Sequence, residues 1–498
     1  MDILHHLFFG FGVALSLQNL VYCFIGVLVG TLIGVLPGIG PMATIAMLLP
    51  MTYNVPPVAA LIMLAGIYYG AQYGGSTTSI LVNLPGETSS VVTCIDGYQM
   101  ARNGRAGVAL ATAAIGSFIA GTICTMLIAL VGPKVADLAL KFGSPEYFSL
   151  MLLGLVTAAV LAEGDMLKSL AMVFLGLLFG IIGSDVDTGI KRFCFGFYEL
   201  ADGIGFVILA VGIFAVGEII SNLSDPEERV VFTSKVGNLY PTLKDLKQSI
   251  GPMLRGTAIG SFFGVLPGTG PSIASFGSYM IEKKMAKDPS RFGKGAIEGV
   301  AGPESANNAD AQCKFIPMLT LGIPASGTMA LMLGALMIHG ITPGPGVMVQ
   351  QPALFWGLIA SMWIGNLMLV VLNLPLVGLW VSLLKVPYRL LFPAIMVFSS
   401  IGIYSSNSLS FDVYLAAIIG ILGIIWRVLG CSPIPLLLGF VLGPMMEENL
   451  RRALQVSEGD PTVFFTRPLS LVFIVATALI LIVMVLPAVR KRRGDIAG

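Results

Sequence analysis

Charge is what this sequence has least of. Asp, Glu, Lys and Arg make up 11% of its 498 residues, against about 25% in a soluble globular domain. No Lys or Arg precedes Arg102, so the N-terminus lacks the basic region of a cleaved signal peptide. The net charge is +1 with the basic residues in short loops, which leaves no case for a nucleic-acid partner. Six cysteines (Cys23, Cys94, Cys124, Cys194, Cys313, Cys431) stand singly without a CxxC, so neither a disulfide framework nor a zinc site is implied. Three histidines (His5, His6, His339) are too few for a metal centre. An HExxH motif is missing, and "GSDVD" at 183–187 has no second carboxylate on a neighbouring span to form an aspartyl dyad. An intramembrane protease is therefore set aside, and no enzyme is expected. Sustained two-residue alternation is also missing, which excludes a β-barrel.

What is present is apolar: 56% of residues are hydrophobic and the mean hydropathy is +0.89. Runs of about 20 apolar residues recur along the chain, the length that spans a bilayer as helix. The expected class is an all-α polytopic membrane protein. Lys and Arg placement sets orientation. "RKRR" at 490–493 places the C-terminus in the cytoplasm, and so do the basic loops 221–255 and 282–298 on their side.

Two octapeptides, "GVLPGIGP" at 34–41 and "GVLPGTGP" at 264–271, interrupt this pattern. Proline and glycine are the residues a helix interior avoids. Aligning Pro37 with Pro267 gives an offset of 230 and matches Gly30/Gly260, Gly34/Gly264, Gly38/Gly268, Gly40/Gly270 and Pro41/Pro271. A second pair of breaks follows, "ILVNLPGETSS" at 80–90 and "MLTLGIPASGT" at 318–328, with Pro85 opposite Pro324. The second octapeptide lies between two basic loops, and its leading arm, 256–266, is about 16 Å as helix. A re-entrant hairpin entering from the cytoplasm is expected there, with its mirror image at 20–50.

The expected organisation is thus two inverted-topology repeats. The first, 1–230, holds a hairpin at 20–50, an interrupted helix at 73–100 and scaffold helices at 106–220. A cytoplasmic linker, 231–255, leads to the second, 256–466, with a hairpin at 256–281, an interrupted helix at 309–342 and further helices at 353–448. A last membrane helix and basic tail fill 467–498. Segments 57–72 and 294–310 are expected along the interface, with Glu304 and Asp310 at the cytoplasmic side. Asp165, Asp185, Asp187 and Glu163 are expected in short solvated loops.

Gly/Pro-interrupted segments at corresponding positions of two halves point to a secondary transporter's binding site. A channel is the weaker reading, since pores assemble one filter from several subunits. The helix starts after each break offer unpaired N–H groups, which suit a carboxylate, and carbonyls before each break suit Na⁺. The expected substrate-binding set is Gly38, Gly40, Pro41, Asn83, Pro85, Gly86, Gly268, Thr269, Gly270, Pro271, Ser272, Pro324, Ser326 and Gly327. Coupling to Na⁺ or H⁺ is expected of Ser76, Thr77, Glu87, Thr88, Asn307, Asn308, Thr320 and Thr328, with no other cofactor. No Lys or Arg lies within 73–90 or 315–338, so dipoles and hydroxyls rather than a salt bridge would hold an anion. GxxxG at Gly30/Gly34 and Gly260/Gly264 reads mainly as helix packing.

"GTLIGVLPGIGP", "GIYYGAQYGGSTTSILVNLPGETSSVVTCIDGYQMARNGRAG" and "GVAGPESANNADAQCKFIPMLTLGIPASGTMALMLGALMIHGITPGP" resemble the large membrane subunit of the tripartite tricarboxylate transporters, the TctA family. The departures are "GPESANNAD" and "CKFIP", where smaller residues are usual, and Lys314 adds a charge beside the second break. The resemblance implies an inner-membrane, gradient-driven carrier of elevator type for carboxylates such as citrate. It implies a small four-helix membrane partner and a periplasmic solute-binding protein as well. A homo-oligomeric contact would fall on the scaffold helices.

Overall fold

A computed structural model describes residues 3–36, 40–162, 165–185, 188–216, 239–266, 269–383 and 388–485. Nearly all of these are helical, and one short antiparallel pair, Gly183–Ser184 with Lys191–Arg192, is the exception. The first half runs α1 (Ile3–Ala14), α2 (Leu17–Val35), α3 (Pro41–Leu48), α4 (Pro57–Val82), α5 (Val91–Met100), α6 (Ala106–Ala139), α7 (Ser144–Leu161), α8 (Met166–Gly180) and α9 (Phe206–Ala210). The second contains α10 (Leu243–Val265), α11 (Pro271–Met285), α12 (Glu298–Cys313), α13 (Phe315–Leu321), α14 (Gly327–Ile338), α15 (Pro352–Asn373), α16 (Ser410–Val428), α17 (Ile434–Val456) and α18 (Pro468–Val485). Four stretches among the described residues are long and apolar enough to cross a membrane: Leu17–Val35, Thr88–Ala139, Pro352–Asn373 and Ser410–Val428.

Each half builds its centre the same way, with α2 lying along α4 and α10 along α12. Glycine makes the approach possible. A Cβ on Gly26, Gly30 or Gly34 would stand 2.3, 2.5 or 2.3 Å from the carbonyl oxygens of Met63, Ile67 and Ala71. A Cβ on Gly256, Gly260 or Gly264 would stand 2.1, 2.1 or 2.6 Å from those of Gly302, Ala306 and Asp310. The glycines repeat at an offset of 230 and their partners at 239, so the two helix pairs have the same register. Lipid gives no hydrophobic drive between helices, and this backbone proximity supplies the packing instead.

Two expectations about the partner helices fail. Residues 57–72 do not lie at an interface: Pro57 at the first helical position starts α4, which continues without a break to Val82 and is buried from Ala59 onward. The polar stretch in 294–310 is not interfacial either, because α12 is buried from Gly299 to Cys313. A helix buried all round contacts protein on every face; the neighbours satisfy some of its polar groups, while Ser305 Oγ and both side-chain amide atoms of Gln312 have no hydrogen-bond partner among the described residues.

The arm before the second break is also longer than expected. Thr242 caps α10 with Asp245, whose N–H donates to Thr242 Oγ1 at 3.2 Å, so the helix starts at Leu243, inside the expected linker. Its 23 residues extend about 34 Å, and a short arm no longer argues for shallow entry. The remainder of the expected linker, 231–238, lies outside the described residues, as do Glu163, Asp187 and the basic tail.

Away from the centre, α17 packs on α7 and α8, and α18 on α7. Asp185, 5% exposed, is not a solvated loop charge, because Arg451 Nη2 sits 2.8 Å and Arg192 Nη1 3.4 Å from its Oδ2. Asp165 does remain exposed, and caps α8 through the N–H of Leu167 at 2.8 Å.

Candidate functional site

Both halves break their central helix in one way. Asn83 ends α4 in the left-handed region (φ 58°, ψ 26°), and Gly322 ends α13 there (φ 70°, ψ 21°). Glu87 (φ −149°, ψ 167°) and Ser326 (φ −154°, ψ 170°) then open the next helical turn in extended geometry. Both pairs are 239 residues apart, like Pro85 and Pro324. The first break folds back on its own half, where a Cβ on Gly86 would meet Gly34 O at 2.2 Å and Gly75 Cα at 2.5 Å.

The breaks are then shared between halves. Helix α3, which follows the first octapeptide, packs against α14, after the second break, and a Cβ on Gly327 would meet Met42 Sδ at 2.9 Å. Helix α11, which follows the second octapeptide, packs against Thr88–Ser90, after the first break. Gly40 and Gly270 stand before Pro41 and Pro271, and no side chain caps either helix start. Gly38 and Gly268 lie outside the described residues.

The carbonyls at the ends of α2 and α10, which lead into each break, are partly taken. Thr78 Oγ1 donates to Val35 O at 2.7 Å, and Thr269 Oγ1 lies 2.6 Å from Phe263 O and 2.9 Å from Leu266 O. Thr269 thus closes its own turn. Thr320 donates back along α13 to Ile316 O at 2.7 Å, and Ser326 Oγ accepts from Met329 N at 3.3 Å as a cap. Thr77 and Thr328 are buried; Ser272 is half-buried, and Asn83, Pro85 and Thr88 are exposed. Neither Asn83 nor Thr320 therefore joins the polar interior.

That interior is built on α12. Glu87 accepts hydrogen bonds from Ser89 Oγ and, at 3.3 Å, from Asn307 Nδ2. Asn308 Nδ2 donates to Ser117 Oγ of α6 at 2.6 Å. Glu304 accepts from Thr93 and lies 2.5 Å from Ser76 Oγ. Asp310 and Lys314 form an ion pair one turn apart, each with no exposed side chain. Lys314 is fully buried here, so the interior does contain a positive group. This interior thus holds three carboxyl groups and one ammonium, and their charges balance only if some carboxyls carry a proton or a further cation binds.

Asp96 of α5 ties the halves together. Its Oδ1 accepts from the N–H groups of Gly293, Gly295 and Ala296 at 2.9, 2.7 and 2.8 Å, and its Oδ2 from Tyr279 Oη at 2.9 Å. Glu304, Asp310, Lys314, Thr93 and Asp96 were not among the sequence candidates. A run as polar as "ESANNADAQCK" reads as surface unless its neighbours are known to be equally polar.

These features define a helical membrane protein whose two halves repeat a broken-helix unit and enclose a polar, charged interior. A family model for the tripartite tricarboxylate transporter TctA family matches residues 20–438, and the chain belongs to that family, one of transporters. It is 59% identical over 496 residues to an Agrobacterium vitis protein described as an uncharacterized 52.8 kDa protein in the TAR-I ttuC′ 3′ region, covering 100% of this chain and 99% of the relative. It is 60% identical over 237 residues to a second Agrobacterium vitis protein, from the TAR-II ttuC′ 3′ region, covering 48% of this chain and 98% of that relative. No solved structure matches the chain.

Proposed function

We propose that this chain is the membrane subunit of an ion-gradient-driven importer of a di- or tricarboxylate, citrate-like in charge and size. A periplasmic binding protein delivers the substrate, and a small four-helix membrane subunit completes the complex in the bacterial inner membrane, with the C-terminus cytoplasmic. The observation that carries the reading is the exchange of packing between halves: each octapeptide's helix meets the other half's break. Two broken segments that support one another in this way can open to one side or the other as a unit, which alternating access of elevator type requires. The uncapped starts at Gly40–Pro41 and Gly270–Pro271 favour the substrate's carboxylates, assisted by Gly38, Gly268, Ser272, Ser326 and Gly327. Glu87, Asn307, Asn308 and Ser76, with Thr77, Thr88 and Thr328 near the breaks, belong to the coupling path.

Reconstitution tests this. The chain, its small partner and the binding protein are placed in proteoliposomes with labelled citrate and a panel of di- and tricarboxylates. Uptake that needs the binding protein and collapses without an ion gradient is the expected result. Conduction independent of any gradient would overturn it.

A further inference from the structure

Glu304 brings a carboxyl group into the interior with no positive charge to meet it among the described residues. The residue is 1% exposed. Lys314, the cation buried at the end of the same helix, is engaged by Asp310. The titratable groups acting on Glu304's surroundings are Tyr73 of α4, Cys94 of α5 and Glu87 at the first break. From α11, Glu282 faces Gly302, and Arg255 of α10 holds it with bonds of 2.8 and 2.6 Å. The face of α6 presents Gly116 and Ser117. None of these supplies a cation to Glu304, and an unpaired ionised carboxylate in such a place is far more costly than a neutral one.

The hydrogen-bond inventory agrees. Ser76 Oγ carries one proton, yet it lies 3.1 Å from Gln72 O and 2.5 Å from Glu304 Oε2. One proton can serve both acceptors only as a weaker three-centre bond; both contacts are full hydrogen bonds when Glu304 supplies a proton of its own. The O–H at Oε2 then donates to Ser76, Ser76 donates to Gln72 O, and Thr93 donates to Oε1. Beside Ser76 is a cavity of about 10 Å³ whose lining is polar at Tyr73, Thr77, Ser117 and Asn373 and apolar at Leu110, Ala113, Ala114 and Leu374. The Tyr73 hydroxyl and Asn373 Oδ1, both buried, have no hydrogen-bond partner among the described residues. A space of this size is at the lower limit for one water, which these two groups could bond.

We propose that Glu304 is a proton-binding site of the transport cycle, protonated in this conformation and reached through Ser76 and the cavity. When the site opens to water, the O–H bond at Oε2 breaks, the electron pair stays on the carboxylate and the proton passes to water; the reverse occurs on the other side. This rests on the reading of the chain as a gradient-driven carrier and assigns the coupling ion as H⁺.

Two measurements test it. Infrared spectra of the full chain in lipid nanodiscs at neutral pH should show a protonated-carboxyl stretching band that is lost in Glu304→Gln and shifted in Ser76→Ala, which removes one hydrogen bond but keeps the acid. In the reconstituted complex, a pH gradient alone should drive wild-type uptake of a carboxylate from the panel. Glu304→Gln should lose that net uptake while still exchanging labelled for unlabelled substrate. A wild type that accumulates nothing under any gradient defeats the carrier reading. Sodium-driven uptake indifferent to pH, an unaltered response in Glu304→Gln, or no protonated band at neutral pH defeats the assignment to Glu304 and leaves the carrier reading intact.

Discussion

Asn83 and Gly322 hold the same left-handed conformation, 239 residues apart, each ending the central helix of its half. Asn is the residue other than glycine that most readily adopts it. The two sites differ in surroundings, since Asn83 is exposed whereas a Cβ on Gly322 would stand 2.9 Å from Pro343 O. Asn83→Gly should therefore leave the melting temperature unchanged or slightly raised. Gly322→Ala should destabilise by about 1–2 kcal/mol from the backbone alone, with the clash added. Thermal unfolding of the purified chain in detergent reads both.

The α2–α4 and α10–α12 contacts leave no room for a side chain. Gly30→Leu and Gly260→Leu should each cost about 1–3 kcal/mol or more, because the neighbour is backbone and cannot rotate away. Fluorescence-detected size exclusion should show loss of the monodisperse peak. Gly277, whose Cβ would meet nothing nearer than 3.9 Å, supplies the control and should tolerate Ala.

Removing one member of the buried Asp310–Lys314 pair strands the other. Lys314→Met should destabilise by about 3–5 kcal/mol. The double variant Asp310→Ala, Lys314→Met should recover most of the loss, since the equivalent positions in the first half are Ala71 and Gly75. A thermal double-mutant cycle gives the coupling, and additive losses would show that the two charges act separately.

Asp96 is the link between α5 and the loop leading into α12. Asp96→Ala leaves three backbone N–H groups and the Tyr279 hydroxyl without their acceptor, and should cost at least about 3 kcal/mol. Limited proteolysis should then cut near Gly293–Gly295, a stretch otherwise held by this carboxylate.

Gly270 separates structure from transport. A Cβ there would meet nothing within 4 Å, so Gly270→Phe should fold and assemble as the wild type does. Under the proposed function it should nonetheless abolish uptake by covering the α11 helix start. Preserved uptake would make the second octapeptide a structural turn only.

Much of the fold was legible. The helix expected at the start of 467–498 is present as α18, because an uninterrupted apolar run in lipid has no alternative to helix. The repeat was legible too, since glycine and proline fix backbone geometry in themselves. Illegible were the helices at the centre. Residues 57–72 and 294–310 were assigned to an interface from their composition, and the error came from judging each polarity against lipid or water. The actual surroundings are other helices, which sequence spacing does not reveal. Glu304 is the clearest case: Ser76 and Thr93, its partners, come from the other half of the chain.

By itself, then, the sequence determined membrane class, the two pairs of breaks and the glycine register, all consequences of local backbone chemistry and burial in lipid. Tertiary structure alone decided that each octapeptide's helix meets the opposite half's break, that Arg451 neutralises Asp185, and that a polar helix can be the most buried one. Those depend on which polar groups are brought within hydrogen-bonding reach across more than two hundred residues. Asp96 shows the reason: its buried carboxylate is held by N–H groups that approach it from about two hundred residues away in the chain.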